Sequence, residues 1–255
     1  MTTGSADAAA AAPALSSIVP LSASDAVRAR LCLAIELGLL LPGAHLPSDQ
    51  RAADAFGVST ATVRRVFETL SEEGLLERRR GRNGGTFVST HADISHWAND
   101  PAVVRLRGET PTVRALIAQR ALIESSLAAE AAWHRDDPAA LDHLSAARQA
   151  SADASAAEDW SQFHEADVRF HRAMAAAALQ DWALDAHRTT ADALYGYFVP
   201  YPIEYLRGSN DEHLAILAAV EAGDAERSAT LAREHVLELR ASMFISARPS
   251  GIRSS

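Results

Sequence analysis

Asp167 and His171 stand four residues apart in a run, Trp160 to Ala178, whose apolar periodicity predicts a helix. At that spacing the two side chains are about 40° apart around the axis and one turn apart along it, so both can face one ion. His213 follows a break expected at Ser209-Asn210, and His235 lies 22 residues further on, in the last helix the sequence predicts. Where three such helices converge, one carboxylate and three imidazoles suit a borderline divalent cation such as zinc, nickel, manganese or iron. Coordination positions then remain for water or a small ligand. A histidine on a helix is more often a surface or core residue, and His45, His91, His96, His134, His143 and His187 are read that way. His164 shares the face of His171, but seven residues place it about 10 Å away along the axis, too far to share the ion.

A second constellation suits nucleic acid. Ser59, Thr60 and Thr62 open a run that continues through Arg64 and Arg65, while Val63, Val66, Phe67 and Leu70 give it an apolar face. Hydroxyls and guanidinium groups at the start of a helix can reach phosphates and base edges in a major groove, and the apolar positions hold the helix to its own domain. Arg82 follows an Arg-rich stretch on a tip closed by Gly84 and Gly85, where small residues allow close approach to a minor groove or to phosphate. An isolated arginine run is usually a solvated turn, but this one directly follows the helix pair.

The elements that must position these residues are mainly helical. From Ala23 to Leu41 the residues Val27, Leu31, Ile35 and Leu39 repeat every four positions, which predicts a helix ended by Pro42-Gly43. Ser48 is placed to cap a short helix through Phe56. Gly57-Val58 turns the chain, and Ser59 caps the reading helix. Leu75 to Arg79 and Thr86 to Ser89 are short enough for the strands of a hairpin wing. Residues 90–109 fit a connecting segment. Thr110 is expected to cap a helix with Pro111 at its first position. From there to about Ser246 the chain reads as about six helices, with breaks near Asp136-Asp137-Pro138, Ser155-Ala156, Gln180-Asp181, Val199 to Gly208, and Gly223. The expected organisation is a disordered start over 1–20, a winged helix-turn-helix over 21–89, the connection over 90–109, an all-α bundle of six or seven helices over 110–246, and a disordered end over 247–255.

Composition narrows the function classes. All 24 basic residues are Arg, and against 33 acidic residues they leave a net charge of −9, which excludes a uniformly basic nucleic-acid coat. Residues 21–90 hold 9 Arg against 8 acidic residues, a net of +1, so the acidic surplus lies outside the reading segment. Cys32 is the single cysteine and cannot form an intrachain disulfide. The chain shows neither a charged secretory start nor about 18 consecutive apolar residues, so a cytoplasmic protein without a membrane partner is expected.

Leu46-Pro47-Ser48-Asp49, Gly57-Val58-Ser59, Thr62-Val63-Arg64, Gly74-Leu75-Leu76 and Gly81-Arg82-Asn83-Gly84-Gly85-Thr86-Phe87-Val88 resemble the winged-helix domain of GntR-family transcription regulators. Gln50 and Thr60 depart from that pattern, which usually has Arg at both. Arg120-Ala121-Leu122-Ile123-Glu124, Asp167-Val168-Arg169-Phe170-His171, Glu212-His213-Leu214 and Arg233-Glu234-His235 resemble the helical FCD effector domain of the family's FadR branch. Trp97-Ala98-Asn99-Asp100-Pro101 resembles that branch's linker. The resemblance implies a divalent metal on Asp167, His171, His213 and His235, and a carboxylate ligand, such as a sugar acid or hydroxy acid, held with the help of Arg120. A guanidinium fork beside a metal with open positions is a sound receptor for such an acid; the plainer reading of Arg120 is a helix ion pair with Glu124 at i+4.

The preferred reading is a homodimeric, ligand-responsive DNA-binding regulator, a repressor, on a palindromic double-stranded operator. Ser48, Arg51, Ser59, Thr60, Thr62, Arg64, Arg65, Arg82 and Gly84 are its candidate DNA-binding residues. Two competing readings are a metal-dependent enzyme acting on a small acid, and a regulator whose metal is purely structural. No residue is assigned a catalytic role.

Overall fold

The computed structural model describes residues 21–81, 84–91, 97 and 99–243. Both ends expected to be disordered, 1–20 and 247–255, lie outside the described residues, as do Arg82 and His96. The chain forms α1 (Ala23–Glu36), α2 (Asp49–Phe56) and α3 (Thr60–Glu72), then β1 (Leu76–Arg79) and β2 (Gly85–Val88). The short α4 (Pro101–Gly108) follows. The helical half then comprises α5 (Thr110–Trp133), α6 (Pro138–Ala156), α7 (Trp160–Ala177), α8 (Asp181–Tyr195), α9 (Ile203–Glu221) and α10 (Ala225–Ser242). None of the described helices is long and apolar enough to cross a membrane.

The local signals for the reading segment act as expected. The Ser48 hydroxyl accepts from the Arg51 N–H and that of Ser59 from the Thr62 N–H, each satisfying an orphan donor at a helix start. β1 and β2 form an antiparallel hairpin in the register Leu76 to Val88 and Arg79 to Gly85. Val63, Val66, Phe67 and Leu70 are buried along one side of α3.

Several boundaries differ from the sequence reading, among them the break expected over Val199 to Gly208, which ends where α9 begins at Ile203. α1 ends at Glu36 rather than near Leu41, because Gly38 takes a left-handed φ of +71° and the Leu39 N–H turns back to Ala34 O at 2.8 Å. Leu39 and Leu40 are still buried, so their hydrophobicity continued a pattern whose helix had already stopped. The connecting segment contains α4, capped by Asp100, whose Oδ1 accepts from the Ala102 N–H at 2.8 Å. α4 packs on α1, where Arg28 Nε donates to Asp100 at 2.9 Å and Arg107 Nη2 donates to Glu36 at 2.7 Å. Thr110 begins α5 instead of capping it, and its hydroxyl donates to Arg107 O at 2.8 Å.

No break occurs at Ser209-Asn210, which lies inside α9. The buried Asn210 accepts from Ser151 Oγ at 2.9 Å and donates to Ser155 Oγ at 2.8 Å, so a residue type common in loops here joins α9 to α6. In the helical half α5 packs on α10 and α8, while α6 packs on α7 and α9. One apolar cluster runs through both halves of the chain, including Val27, Leu31 and Phe56 from the first and Leu194, Val199, Tyr201 and Val236 from the second. α2 also packs on α7, so the reading segment rests directly on the helix that carries Asp167 and His171.

Candidate functional site

α7, α9 and α10 bring the four expected metal ligands together. His213 Nε2 lies 3.1 Å from His235 Nε2, which lies 3.3 Å from His171 Nε2. Asp167 Oδ1 lies 3.4 Å from His213 Nε2 and 3.6 Å from His171 Nε2. Donor atoms about 2.1 Å from a common ion stand ~3.0 Å apart in an octahedral arrangement and ~3.4 Å apart in a tetrahedral one, so the spacing fits a metal site. Phe170 stacks on His213 with ring centroids 4.3 Å apart and closes one side with apolar surface.

Two carboxylates fix which ring nitrogens face inward. Glu124 Oε2 lies 3.0 Å from His171 Nδ1, and Glu212 Oε2 lies 2.7 Å from His235 Nδ1. A carboxylate there holds the proton on Nδ1 and leaves the Nε2 lone pair for a cation, the usual outer partner of a metal-bound imidazole. The Nε2 atoms and Asp167 are then electron-rich groups at close range, which a cation among them would stabilise. His213 Nδ1 is buried without a hydrogen-bond partner among the described residues.

The charges are strongly coupled. Burial opposes ionisation of Asp167, but neighbouring His171, His213 and Arg120 outweigh it and hold the carboxyl far below its usual range. Burial likewise opposes the charge on Glu124, and Arg120 and His171 overcome it. Burial, reinforced by the neighbouring His235 and His171, pushes the His213 imidazole well below its usual range, so it is neutral. A neutral imidazole is the form that binds metal.

A cavity of about 550 Å³ opens over this cluster, a volume typical of small-molecule sites. Asp167, His171 and His235 line it, and so does Arg120. Arg120 is 2% exposed, and its Nε donates to Glu124 Oε1 at 2.6 Å. Both readings of Arg120 are therefore compatible: Nε serves the helix pair, while neither Nη atom makes a hydrogen bond to a described residue. Aromatic residues also line it, among them Trp160 and Phe163 of α7 itself and Phe198 and Tyr201 of the segment between α8 and α9.

The candidate DNA-reading residues gather on α2, α3 and the wing. Arg64 and Arg65 are exposed on α3, where Arg64 Nε lies 3.4 Å from Asp49 Oδ2. Ser59 Oγ lies 2.8 Å from Thr62 Oγ1, so those hydroxyls also organise the helix start. Thr60 Oγ1 donates to Gln50 Oε1 at 2.7 Å, so the two residues that depart from the usual Arg pattern pair with each other. Arg51 Nη1 lies 3.6 Å from Asp159 Oδ2 at the start of α7. Gly84 serves through its backbone: a Cβ there would fall 2.5 Å from Arg79 O. Arg82 lies outside the described residues.

Sequence reasoning missed four contributors. Glu212 and Glu124 were visible only as neighbours of other motif residues, although a carboxylate beside each ligand histidine is what metal chemistry favours. His164 lines the cavity without joining the cluster of His171, His213 and His235, and burial pushes its imidazole down to about 4. Arg30 also lines the cavity, and its signal was a charged residue inside the otherwise apolar run from Ala29 to Ile35.

Comparison with known proteins assigns the chain. The FCD domain profile matches residues 115–238, and that of "Bacterial regulatory proteins, gntR family" matches residues 23–88. The chain is 30% identical over 229 residues to a Mycobacterium gastri protein named as an HTH-type transcriptional regulator, RmpR, covering 86% of this chain and 80% of that one. It is 30% identical over 225 residues to a protein of Escherichia coli strain K12 named as an L-lactate dehydrogenase operon regulatory protein, covering 82% and 81%. The galactonate operon transcriptional repressor of the same strain is 27% identical over 165 residues, covering 60% and 66%. These relatives are regulators, which sets aside the reading of the histidine cluster as an enzyme's active site. The chain belongs to the GntR family and is a DNA-binding transcription regulator with an FCD effector domain, not an enzyme.

Proposed function

We propose that this regulator binds a divalent cation on Asp167, His171, His213 and His235 and senses a small carboxylic acid beside it. The observation that carries this reading is the convergence of three Nε2 atoms and one carboxylate next to a cavity that Arg120 also lines. A cation there supplies coordination for a ligand oxygen. The Arg120 guanidinium lies over the Tyr195 ring, 5.0 Å from its centroid, and among the described residues its Nη groups make no hydrogen bond, so they suit the carboxylate of the same ligand. Two relatives carry names that refer to L-lactate and galactonate operons, both hydroxy acids, which supports that ligand class.

In this reading the protein acts in the cytoplasm as a homodimeric repressor, with two reading helices related by a twofold axis on a palindromic operator. The ligand alters DNA binding through its different affinity for the reader's alternative placements. The test is metal per chain by elemental analysis for wild type and His213→Ala. Calorimetric titration of metal-loaded and metal-stripped protein with L-lactate and D-galactonate follows, then mobility shifts on DNA beside its own gene. About one ion per wild-type chain, lost in the variant, with acid binding only to the loaded form, is expected. Equal metal in both proteins overturns the ligand set, and metal-independent acid binding makes the metal structural. The absence of any specific shift overturns the operator.

A further inference from the structure

The cavity reaches from the histidine cluster to a wall built by the DNA-binding domain. Arg30 of α1 lines that wall together with Ala55 of α2. Its guanidinium lies over the Phe56 ring, 4.6 Å from the centroid, and the residue is 4% exposed. Nε donates to Phe198 O and Nη2 donates to Tyr195 O at 3.4 Å. Both acceptors are neutral carbonyls, one on the last residue of α8 and one three residues beyond it, and Nη1 has no acceptor among the described residues.

Among the described residues Arg30 is thus a buried cation without an anion. Its neighbours are treated differently: Arg28 pairs with both Glu73 and Asp100, and Arg107 pairs with Glu36. A buried charge is costly unless an opposite charge and hydrogen bonds compensate it. Burial draws the Arg30 guanidinium down to about 9, with no carboxylate offsetting it. A ligand anion at this wall would supply the missing counter-charge. His164 adds a polar group to the same cavity; its ring packs edge-on to Tyr195 at 5.2 Å and makes no hydrogen bond to a described residue.

The volume points the same way. A cavity of about 550 Å³ equals roughly 18 water volumes at ~30 Å³ each, so a six-atom hydroxy acid would leave most of it wet. We infer that Arg30 is a second anion-binding end of the effector cavity, and that the effector is an elongated acid. One end of it carries a hydroxy-carboxylate for the metal and Arg120, and the other carries a second carboxylate or a phosphate for Arg30. This inference rests on the proposed metal and carboxylate reading. Its consequence is that one molecule touches both domains and favours the arrangement in which α1 and α2 are seated on the effector domain.

The test uses the full-length, metal-loaded protein and two matched pairs of probes: 2-hydroxyhexanoate with 2-hydroxyadipate, and D-gluconate with 6-phospho-D-gluconate. Calorimetry on wild type, Arg30→Gln and Arg30→Lys reads the advantage given by the second anion. In wild type at least one doubly charged probe binds about tenfold tighter than its partner. Arg30→Gln cuts that advantage below about threefold, Arg30→Lys keeps part of it, and the singly charged probes bind all three proteins alike. Which pair shows the advantage tells whether the distal group is carboxylate or phosphate. The inference is overturned if Arg30→Gln keeps the advantage, or if neither doubly charged probe outbinds its partner while the singly charged ones bind. If none of the four probes binds, the underlying carboxylate reading falls with it. Should thermal melts show Arg30→Gln unfolded, Arg30→Met, of similar length and without charge, decides: a second-anion advantage equal to wild type overturns the proposal.

Discussion

Glu124 Oε2 lies 3.0 Å from His171 Nδ1, while Oε1 of the same carboxylate accepts from Arg120 Nε at 2.6 Å. One buried side chain thus orients a proposed metal ligand and a proposed effector-binding arginine. His187 Nε2 is a third neighbour, 3.0 Å from Oε1. The arrangement links the proposed metal and effector sites through a group that need touch neither.

Glu124→Gln removes the charge and keeps the shape. An amide cannot accept from Arg120 on one side and from His171 on the other, so the His171 tautomer is released. Metal affinity, measured by competition with a chromogenic chelator, is expected to fall about 10- to 100-fold. Breaking a buried pair also destabilises the domain by about 3 kcal/mol or more. Because Glu124 is held below its ordinary value, its stabilising contribution is present above about pH 4.3 and is lost as pH falls towards its folded value. The acid side of a stability profile should therefore flatten in the variant. Unchanged chelator competition would remove Glu124 from the support of His171.

Asn210 tests the join between α9 and α6. Its side chain accepts from Ser151 Oγ and donates to Ser155 Oγ and Ser151 O, all within 3.1 Å. Asn210→Ala leaves these partners without it in a buried setting, a cost of about 1–3 kcal/mol. Since His213 follows three residues later on α9, metal affinity should fall together with the melting temperature. A melting temperature equal to wild type would show that the network is dispensable.

How much of this was legible depends on the range of the forces involved. The Ser48 and Ser59 caps, the wing strands and the six effector-domain helices followed from neighbouring residues alone. Asp167 and His171 followed from helical spacing. The end of α1 was missed because Leu39 and Leu40 remain buried after Gly38 has turned the chain, so burial and helicity part company there. α4 was missed although α2, of the same length, was found, because its anchoring contacts, Arg28 with Asp100 and Arg107 with Glu36, join residues far apart in sequence. Arg30 was beyond local reasoning for the same cause: its acceptors, Tyr195 and Phe198, come from the other domain.

Arg64 is exposed on the reading helix, and its partner Asp49 also receives Arg78. Such exposed pairs are weak and yield readily to phosphate. Arg64→Ala is expected to weaken binding to specific and unrelated DNA alike. It should lower the slope of log affinity against log salt by about 1, as one released counterion requires. Anisotropy titrations at several salt concentrations measure both, and an unchanged slope would show that Arg64 meets no phosphate.

Gly84 separates a backbone role in the wing from a side-chain role in recognition. Its N–H donates to Gly81 O at 2.9 Å, and a Cβ there would lie 2.5 Å from Arg79 O and 2.8 Å from Gly81 O. Both contacts are with backbone, which cannot move aside without opening the hairpin that joins β1 to β2. Gly84→Ala should therefore misplace the wing and weaken operator binding by about tenfold, a loss of ~1.4 kcal/mol. The buried face of α3 and the histidine cluster lie elsewhere, so metal content and the melting temperature of the effector domain should hold. Gly108→Ala is the control, because a Cβ there meets nothing within 4 Å. If Gly84→Ala binds the operator as tightly as Gly108→Ala, the wing contributes little to DNA binding, and recognition rests on α3.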